Sequence, residues 1–237
     1  MRVTIPNLKQ ALVGQLDKNN TIANNLANMN TLGYKRDFLF FDALDKKMAS
    51  RNGEREAIDF SQGTLKQTAN SLDVALSGPG FFTVENDDGQ QFFTRVGHFK
   101  LDDDGILRTA SGDMVMGEGG PITIIGKSLQ PKNITITRNG EIYVDDAYMD
   151  RLQIVDFEDK SKLQKIGNNL FQAKNDAETV TVDKPELHQG FLEESNVNPA
   201  DEMIQLIEVQ RQFESVQRMV RTLDEVFQRA AGQVGKY

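Results

Sequence analysis

The chain has 237 residues, 27 of them basic and 35 acidic, for a formal charge of -8, and it contains no cysteine. That length supports one large or two modest hydrophobic cores. The acidic balance excludes a non-specific nucleic-acid binder and a polybasic membrane anchor, and the missing thiols exclude disulfides, thiolate chemistry and cysteine-ligated zinc.

The opening stretch, MRVTIPNLKQALVGQLDKNN, lacks the basic region, apolar segment and small-residue cleavage site of a general secretory signal, so no cleaved signal is expected. It reads instead as a helix from about Ile5 to Asn28, with Pro6 suited to the first helical position. Ile5, Leu8, Leu12, Gln15, Asn19, Ile22, Leu26 and Met29 recur at alternating spacings of three and four. A period of 3.5 keeps one stripe of a helix facing a partner helix along its length. Gln15 and Asn19 sit in the middle of that stripe. Either they weaken the pairing, or their buried amides fix its register. An asparagine-rich stretch follows, with Gly33 available for a left-handed turn. Asn24 and Asn25 are assigned to a crowded helical interface, where uncharged amides can bond backbone and one another; Asn28 and Asn30 are assigned to ending the helix.

Phe38 to Met48 reads as a short second helical piece, and Ala49 to Glu56 as a polar loop. From Asp59 to about Val182 the hydrophobic period falls to two. Runs such as FFTVE, QFFTRV, ILRTA, ITII, ITITR, EIYV and LQIVDF fit short strands separated by glycine–aspartate turns. Asn139-Gly140, inside ITITRNGEIYV, predicts a hairpin with a type I′ turn. The whole segment predicts an antiparallel all-β domain.

The last helix carries strong local signals. Asn198 can cap it, Pro199 fits its first turn, and Asp201 places a negative charge there. Leu206, Val209, Phe213, Val216, Val220, Leu223, Phe227 and Ala230 repeat the three–four spacing of the first helix. The two stripes are natural mates, which would tie the first residues to the last. Met203, Ile204, Ile207 and Met219 lie off this seam, a surplus that one partner helix cannot cover.

Chemistry-bearing constellations are absent from the pattern. His98 and His188 are too scattered for a metal site. Asp102-Asp103-Asp104-Gly105 lacks the alternate carboxylates and downstream glutamate of a calcium loop and reads as a solvated turn. No phosphate-cradling glycine loop and no nucleophile elbow occur. No catalytic, metal or cofactor residues are assigned. Tyr34, Lys35 and Arg36 read equally well as a solvated basic turn or as a contact for a partner's acidic surface.

Three ordered motifs nevertheless carry a family resemblance. IANNLANMNTLGYKRD, at Ile22 to Asp37, resembles the N-terminal signature of bacterial flagellar rod and hook proteins. SLDVALSGPGFFTVENDDGQQFFTRVGHFKLDDDGIL is similar to the signature of their β domain. GFLEESNVNPADEMIQLIEVQRQFESVQRMVRTLDEVF, at Gly190 to Phe227, is similar to their C-terminal signature, including Gln210-Arg211 and Phe213-Glu214. MGEGGPITI, at Met116 to Ile124, resembles a stretch of the proximal rod subunit. The chain's start departs from the usual rod pattern, in that no aromatic residue precedes the first helix.

The resemblance implies an α+β fold: paired N- and C-terminal coiled-coil helices (1–36 and 190–237), a connecting segment (37–58) and a central antiparallel all-β outer domain (59–189). It implies a non-enzymatic structural subunit of the flagellar rod, most like the proximal rod, that polymerises into a helical tube carrying torque from motor to hook and forming part of the export channel. The alternatives are a distal rod or other hook–basal-body axial protein, a secreted binding module, and an enzyme acting on cell-wall glycan. Implied partners are copies of itself, other rod proteins and the flagellar type III export apparatus, with no nucleic acid, no membrane insertion and no cofactor. The implied location is the rod spanning the periplasm, reached without signal cleavage. The residues expected at assembly interfaces are Leu8, Leu12, Ile22, Asn24, Asn25, Leu26 and Asn28 near the N-terminus. Near the C-terminus they are Leu206, Val209, Gln210, Phe213, Val216, Val220, Leu223 and Phe227.

Overall fold

The structure, a computed structural model, describes residues 5–41, 54–124, 133–174 and 177–234. Helix α1 (Ile5–Ala27) opens this fold and helix α2 (Pro199–Val234) closes it, with antiparallel strands between them. This is the expected α+β order. Contacts divide the chain into a helical unit (1–28, 37–58 and 197–237) and a β unit (29–36 and 59–196). Residues 29–36 and 190–196 fold with the strands, and 37–58 falls with the helices.

In the helical unit, α2 starts as its local sequence dictates. Asn198 Oδ1 accepts the Ala200 N–H at 3.1 Å, and the Asn198 carbonyl accepts the Glu202 N–H at 3.1 Å. Asp201 and Glu202 complement the positive end of the helix dipole. Its 36 residues make a rod of about 54 Å at 1.5 Å per residue. Strand β1 (Asp37–Phe41) pairs antiparallel with β2 (Glu54–Ile58). Two expectations are thereby corrected: Phe38–Phe41 is extended rather than helical, and 54–56 is strand rather than loop. The run DFLFF is aromatic and suits a pleated surface better than a helix. The remainder of those two predicted segments, 42–53, lies outside the described residues.

In the β unit, Phe81–Glu85 is the central strand. It pairs antiparallel with Gln91–Thr94 on one edge, and with Met114–Gly117 and Ile154–Phe157 on the other. Phe81 to Val84 are all buried, so both faces of this strand are covered. On one face Phe82 and Val84 join Val74, Leu76, Phe99, Leu107, Val115 and Ile142 in the main core. On the other, Phe81 meets the rings of Phe60, Phe171 and Phe157 with centroids 5.6, 5.6 and 5.9 Å away. Edge-on pairs of this kind contribute about 0.5–1.5 kcal/mol each beyond their buried area.

One turn design recurs four times, starting at Asn86, Asp102, Thr109 and Thr137. The carbonyl of the first residue accepts the N–H of a glycine three residues on, at 3.0 to 3.1 Å, and its own N–H donates to the carbonyl of the fifth residue. Its side-chain oxygen also accepts the N–H of that fifth residue (Gln90, Ile106, Asp113 and Glu141) at 2.7 to 3.1 Å. The glycines take φ of +77° to +100°, a region open to them at no steric cost. Asn139-Gly140 does lie between paired strands, Ile134–Ile136 and Glu141–Val144. The turn is not type I′, however, because of the two residues only Gly140 takes a positive φ; a type I turn followed by a left-handed glycine closes it instead. Asp102, within the aspartate run, is held by its own turn and by Arg108 Nε at 2.7 Å, as the solvated-turn reading expects.

Candidate functional site

The candidate assembly surface is the helical unit, where α1 lies beside α2. Along α2, Glu202 and Val209 are buried, and Leu206, Phe213, Val216 and Val220 are half-buried. Along α1, Ile22 is buried, and Leu12, Gln15, Asn19 and Leu26 are half-buried. These burials follow the three–four spacing read from the sequence. The side chains of Leu8, Leu223 and Phe227 lie outside those described, and Gln210 is exposed. The middle of the contact is not sealed. Gln15, Leu16 and Asn19 of α1 and Val209, Gln210, Phe213 and Glu214 of α2 line a notch of about 180 Å3. Gln15 Oε1 is buried without a hydrogen-bond partner. Met203, Ile204, Ile207, Met219 and Val226 on α2 remain 47% to 57% exposed. The surplus stripe expected from the sequence therefore faces outward in the single chain.

The asparagines have distinct local roles. Asn25 is 1% exposed. Its Nδ2 donates to the Asp37 carbonyl at 2.7 Å and its Oδ1 accepts the Asp37 N–H at 2.9 Å. An amide side chain thus binds β1 as a strand neighbour would, and Glu202 Oε2 lies 3.4 Å from the same Nδ2. Asn24 is exposed. Asn28 closes α1, with its backbone N–H and its Nδ2 both donating to the Asn24 carbonyl, at 3.1 and 2.9 Å.

The β unit holds a junction that the sequence reading missed, where the ends of the N- and C-terminal motifs meet. Lys35, Glu193 and Arg95 are 1%, 2% and 3% exposed. Lys35 Nζ donates to Glu193 Oε1 at 2.6 Å and to the Ser61 carbonyl at 2.7 Å. Glu193 Oε1 also accepts the Gly63 N–H at 2.9 Å. Arg95 Nη1 lies 3.5 Å from Glu193 Oε2, while its Nη2 donates to the Gly78 carbonyl at 2.7 Å. Burial pulls both the Lys35 ammonium and the Arg95 guanidinium below their ordinary pKa values, and the Glu193 carboxylate opposes that pull on each. One anion between two cations is the arrangement that keeps such charges tolerable inside a protein.

Neighbouring motif residues complete the junction. Gly33 adopts φ +63° and donates its N–H to the Glu193 carbonyl at 2.8 Å. Asn196 Oδ1 accepts the Arg36 N–H at 2.7 Å, and its Nδ2 donates to the Asp59 carbonyl at 2.8 Å. Lys165 Nζ stands 4.1 Å from the Tyr34 ring centroid. Tyr34 and Lys35 are thus interior residues, and both the solvated-turn and partner-contact readings of them are corrected. The signal available in sequence was an acid and a base in two flanking motifs, but a separation of 158 residues hid the pairing. Elsewhere, His98 Nδ1 lies 2.7 Å from Asp73 Oδ1. Among the described residues no group of three His, Cys, Asp or Glu side chains is placed to hold a metal ion, and no helix is long and apolar enough to cross a membrane.

Comparison with known proteins accounts for these motifs. Residues 8–35 match a family model described as flagella basal body rod protein. Residues 75–144 match the flagellar hook protein FlgE/F/G D1 domain, and 188–233 match the flagellar basal body rod FlgEFG protein C-terminal model. Lys35 and Glu193 thus lie inside the two terminal matches. The flagellar basal-body rod protein FlgF of Caulobacter vibrioides is 32% identical over 225 residues, covering 91% of each chain. The flagellar basal-body rod protein FlgG of Buchnera aphidicola subsp. Schizaphis graminum is 33% identical over 261 residues, covering 95% of this chain and 98% of its own. FlgG of Bacillus subtilis is 30% identical over 244 residues, covering 89% and 91%.

Proposed function

The chain belongs to the flagellar basal-body rod protein family, and on that premise we propose that it polymerises through its helical unit into the axial tube of the rod. In this reading α1 and α2 pair as a coiled coil along the heptad stripes and form an inner layer of the tube. The subunit is non-enzymatic, transmits torque from motor to hook and lines part of the export channel. It reaches the periplasm through the flagellar type III apparatus without signal cleavage, and its partners are copies of itself and other rod proteins.

The observation that carries this reading is the uncovered apolar stripe of Met203, Ile204, Ile207, Met219 and Val226. Large side chains left half in water on a long helix are the mark of a surface completed by a partner. The expected interface residues then divide by role. Leu12, Ile22, Leu26, Leu206, Val209, Phe213, Val216 and Val220 hold the two helices of one chain together, while Asn24, Gln210 and the outer stripe meet neighbours.

A proximal position is favoured by the Met116–Ile124 resemblance. The distal position is the second reading. Basal bodies isolated from a strain lacking this gene separate the two. A basal body without a complete proximal segment supports the proximal reading, one with a complete proximal segment and no distal segment supports the distal one, and complete hooks with normal swimming remove both.

A further inference from the structure

The turn between Ile134–Ile136 and Glu141–Val144 carries a chemically reactive pair. Of the two Asn-Gly pairs in the chain, Asn52-Gly53 lies outside the described residues and Asn139-Gly140 lies in this turn. An asparagine before glycine is open to attack by the next backbone nitrogen on its side-chain carbonyl, because no Cβ crowds that nitrogen. Asn139 is exposed, so water reaches its amide.

The fold holds the attacking nitrogen still. The Gly140 N–H donates to the Thr137 carbonyl at 3.0 Å, and the Gly140 carbonyl accepts the Leu152 N–H at 2.8 Å. Gly140 is buried, with Leu187 Cδ1 3.3 Å from the place a Cβ would take. Thr137 Oγ1 accepts the Glu141 N–H at 3.1 Å and fixes the far side of the turn. A type I turn keeps ψ of its third residue, here Asn139, at about 0°. Ring closure instead needs the Gly140 nitrogen rotated toward the Asn139 side chain, so these bonds must open first.

We propose that Asn139 is a deamidation site silenced by its own hairpin, reacting when the turn opens and yielding a product that hinders the turn from reforming. In the step, the Gly140 nitrogen loses its proton and bonds to Asn139 Cγ. The Cγ–Nδ2 bond breaks, and ammonia leaves with that proton. Water then opens the five-membered imide, restoring the N–H. Cleavage of the bond from Cγ gives aspartate, and cleavage of the bond from the main-chain carbonyl gives isoaspartate. Water enters, ammonia leaves, and nothing is oxidised or reduced. Isoaspartate lengthens the main chain by one methylene inside the turn. That turn sets Ile136 opposite Ile142, and both lie in the main core. A shifted register moves such side chains off their face.

The test uses the full chain at mildly alkaline pH, folded in buffer and unfolded in urea. Peptide mapping after digestion in acid follows Asn139 separately from Asn52. Conversion at Asn139 is expected to be at least about tenfold faster in urea, where no opening step precedes it. Equal rates overturn the gating, and an unreacted Asn139 in urea overturns the site. Thr137→Val removes one turn hydrogen bond and is expected to raise conversion in the folded chain about two- to tenfold. Its rate in urea should not change, and Thr137→Ser should restore the natural rate. Unchanged conversion in folded Thr137→Val overturns the role of the turn. Partly converted chain is then diluted from urea and treated with protease. The resistant, refolded fraction should be depleted in isoaspartate at 139, and equal content in both fractions overturns the block on refolding.

Discussion

The two units of this protein handle burial in opposite ways. In the β unit a cluster of charged groups is inside and ion-paired: Lys35 and Arg95 flank Glu193, and each of the three is 3% exposed or less. In the helical unit large apolar groups are partly outside: five large side chains along α2 are about half exposed. On the proposed function, the exposed stripe of α2 is the part of the molecule that neighbouring subunits complete. Stability and assembly should therefore respond to different residues, and substitutions can break or sharpen that contrast.

The largest effect is expected at the junction. Glu193→Ala leaves two buried cations without their shared anion and should cost about 3–5 kcal/mol, read by denaturant unfolding. Replacing Lys35 and Glu193 together by methionine should cost less than Glu193→Ala alone, because only Arg95 then remains and its charge also feels Asp156. A double variant less stable than the single would mean that the ion pair is a net source of stability. Asn25→Ala should cost about 1–3 kcal/mol, since it strips the Asp37 N–H and carbonyl of their amide partner. Amide hydrogen exchange at Asp37 reports this directly, and unchanged protection there would refute the clamp.

Ile204→Ser with Ile207→Ser should shift stability by no more than about 0.5 kcal/mol per site, as exposed substitutions do, while abolishing rod assembly seen by electron microscopy of basal bodies. A large loss of stability with these two changes would show that the stripe is already covered within one chain. The smallest effect concerns pH. Hydrogen bonds from the Arg108 guanidinium and the Ile106 N–H hold the Asp102 carboxyl below the ordinary carboxylate range. A depressed folded value means that its contribution is whole above the unfolded value and is lost as pH falls through the folded one. Between pH 5 and pH 2, Asp102→Asn should lose less thermal stability than the natural chain.

The legible parts of the fold are those with short-range causes. The α2 start follows from Asn198-Pro199-Ala200-Asp201, since capping acts over three or four residues. The buried stripe of Leu206, Val209, Phe213, Val216 and Val220 follows from spacing alone, because a helix converts sequence period into a face. Strands such as Phe81–Glu85, Gln91–Thr94 and Ile134–Ile136 were readable from alternation and bounding turns. Phe38–Phe41 was misread because a short apolar run carries no period, and its extended form is secured by Asn25, twelve residues away.

The sequence by itself determined two helices with matched stripes, a surplus apolar face on α2 and a chain of short strands closed by glycine turns, all set by contacts within about one helical turn or one hairpin. Only the tertiary structure decided that Lys35 and Glu193 are partners, that Asn25 is an internal clamp, and that Gln15 faces an open notch. The physical reason is that a buried polar group is defined by what reaches it, and here its partner or its gap comes from 12 to nearly 200 residues along the chain.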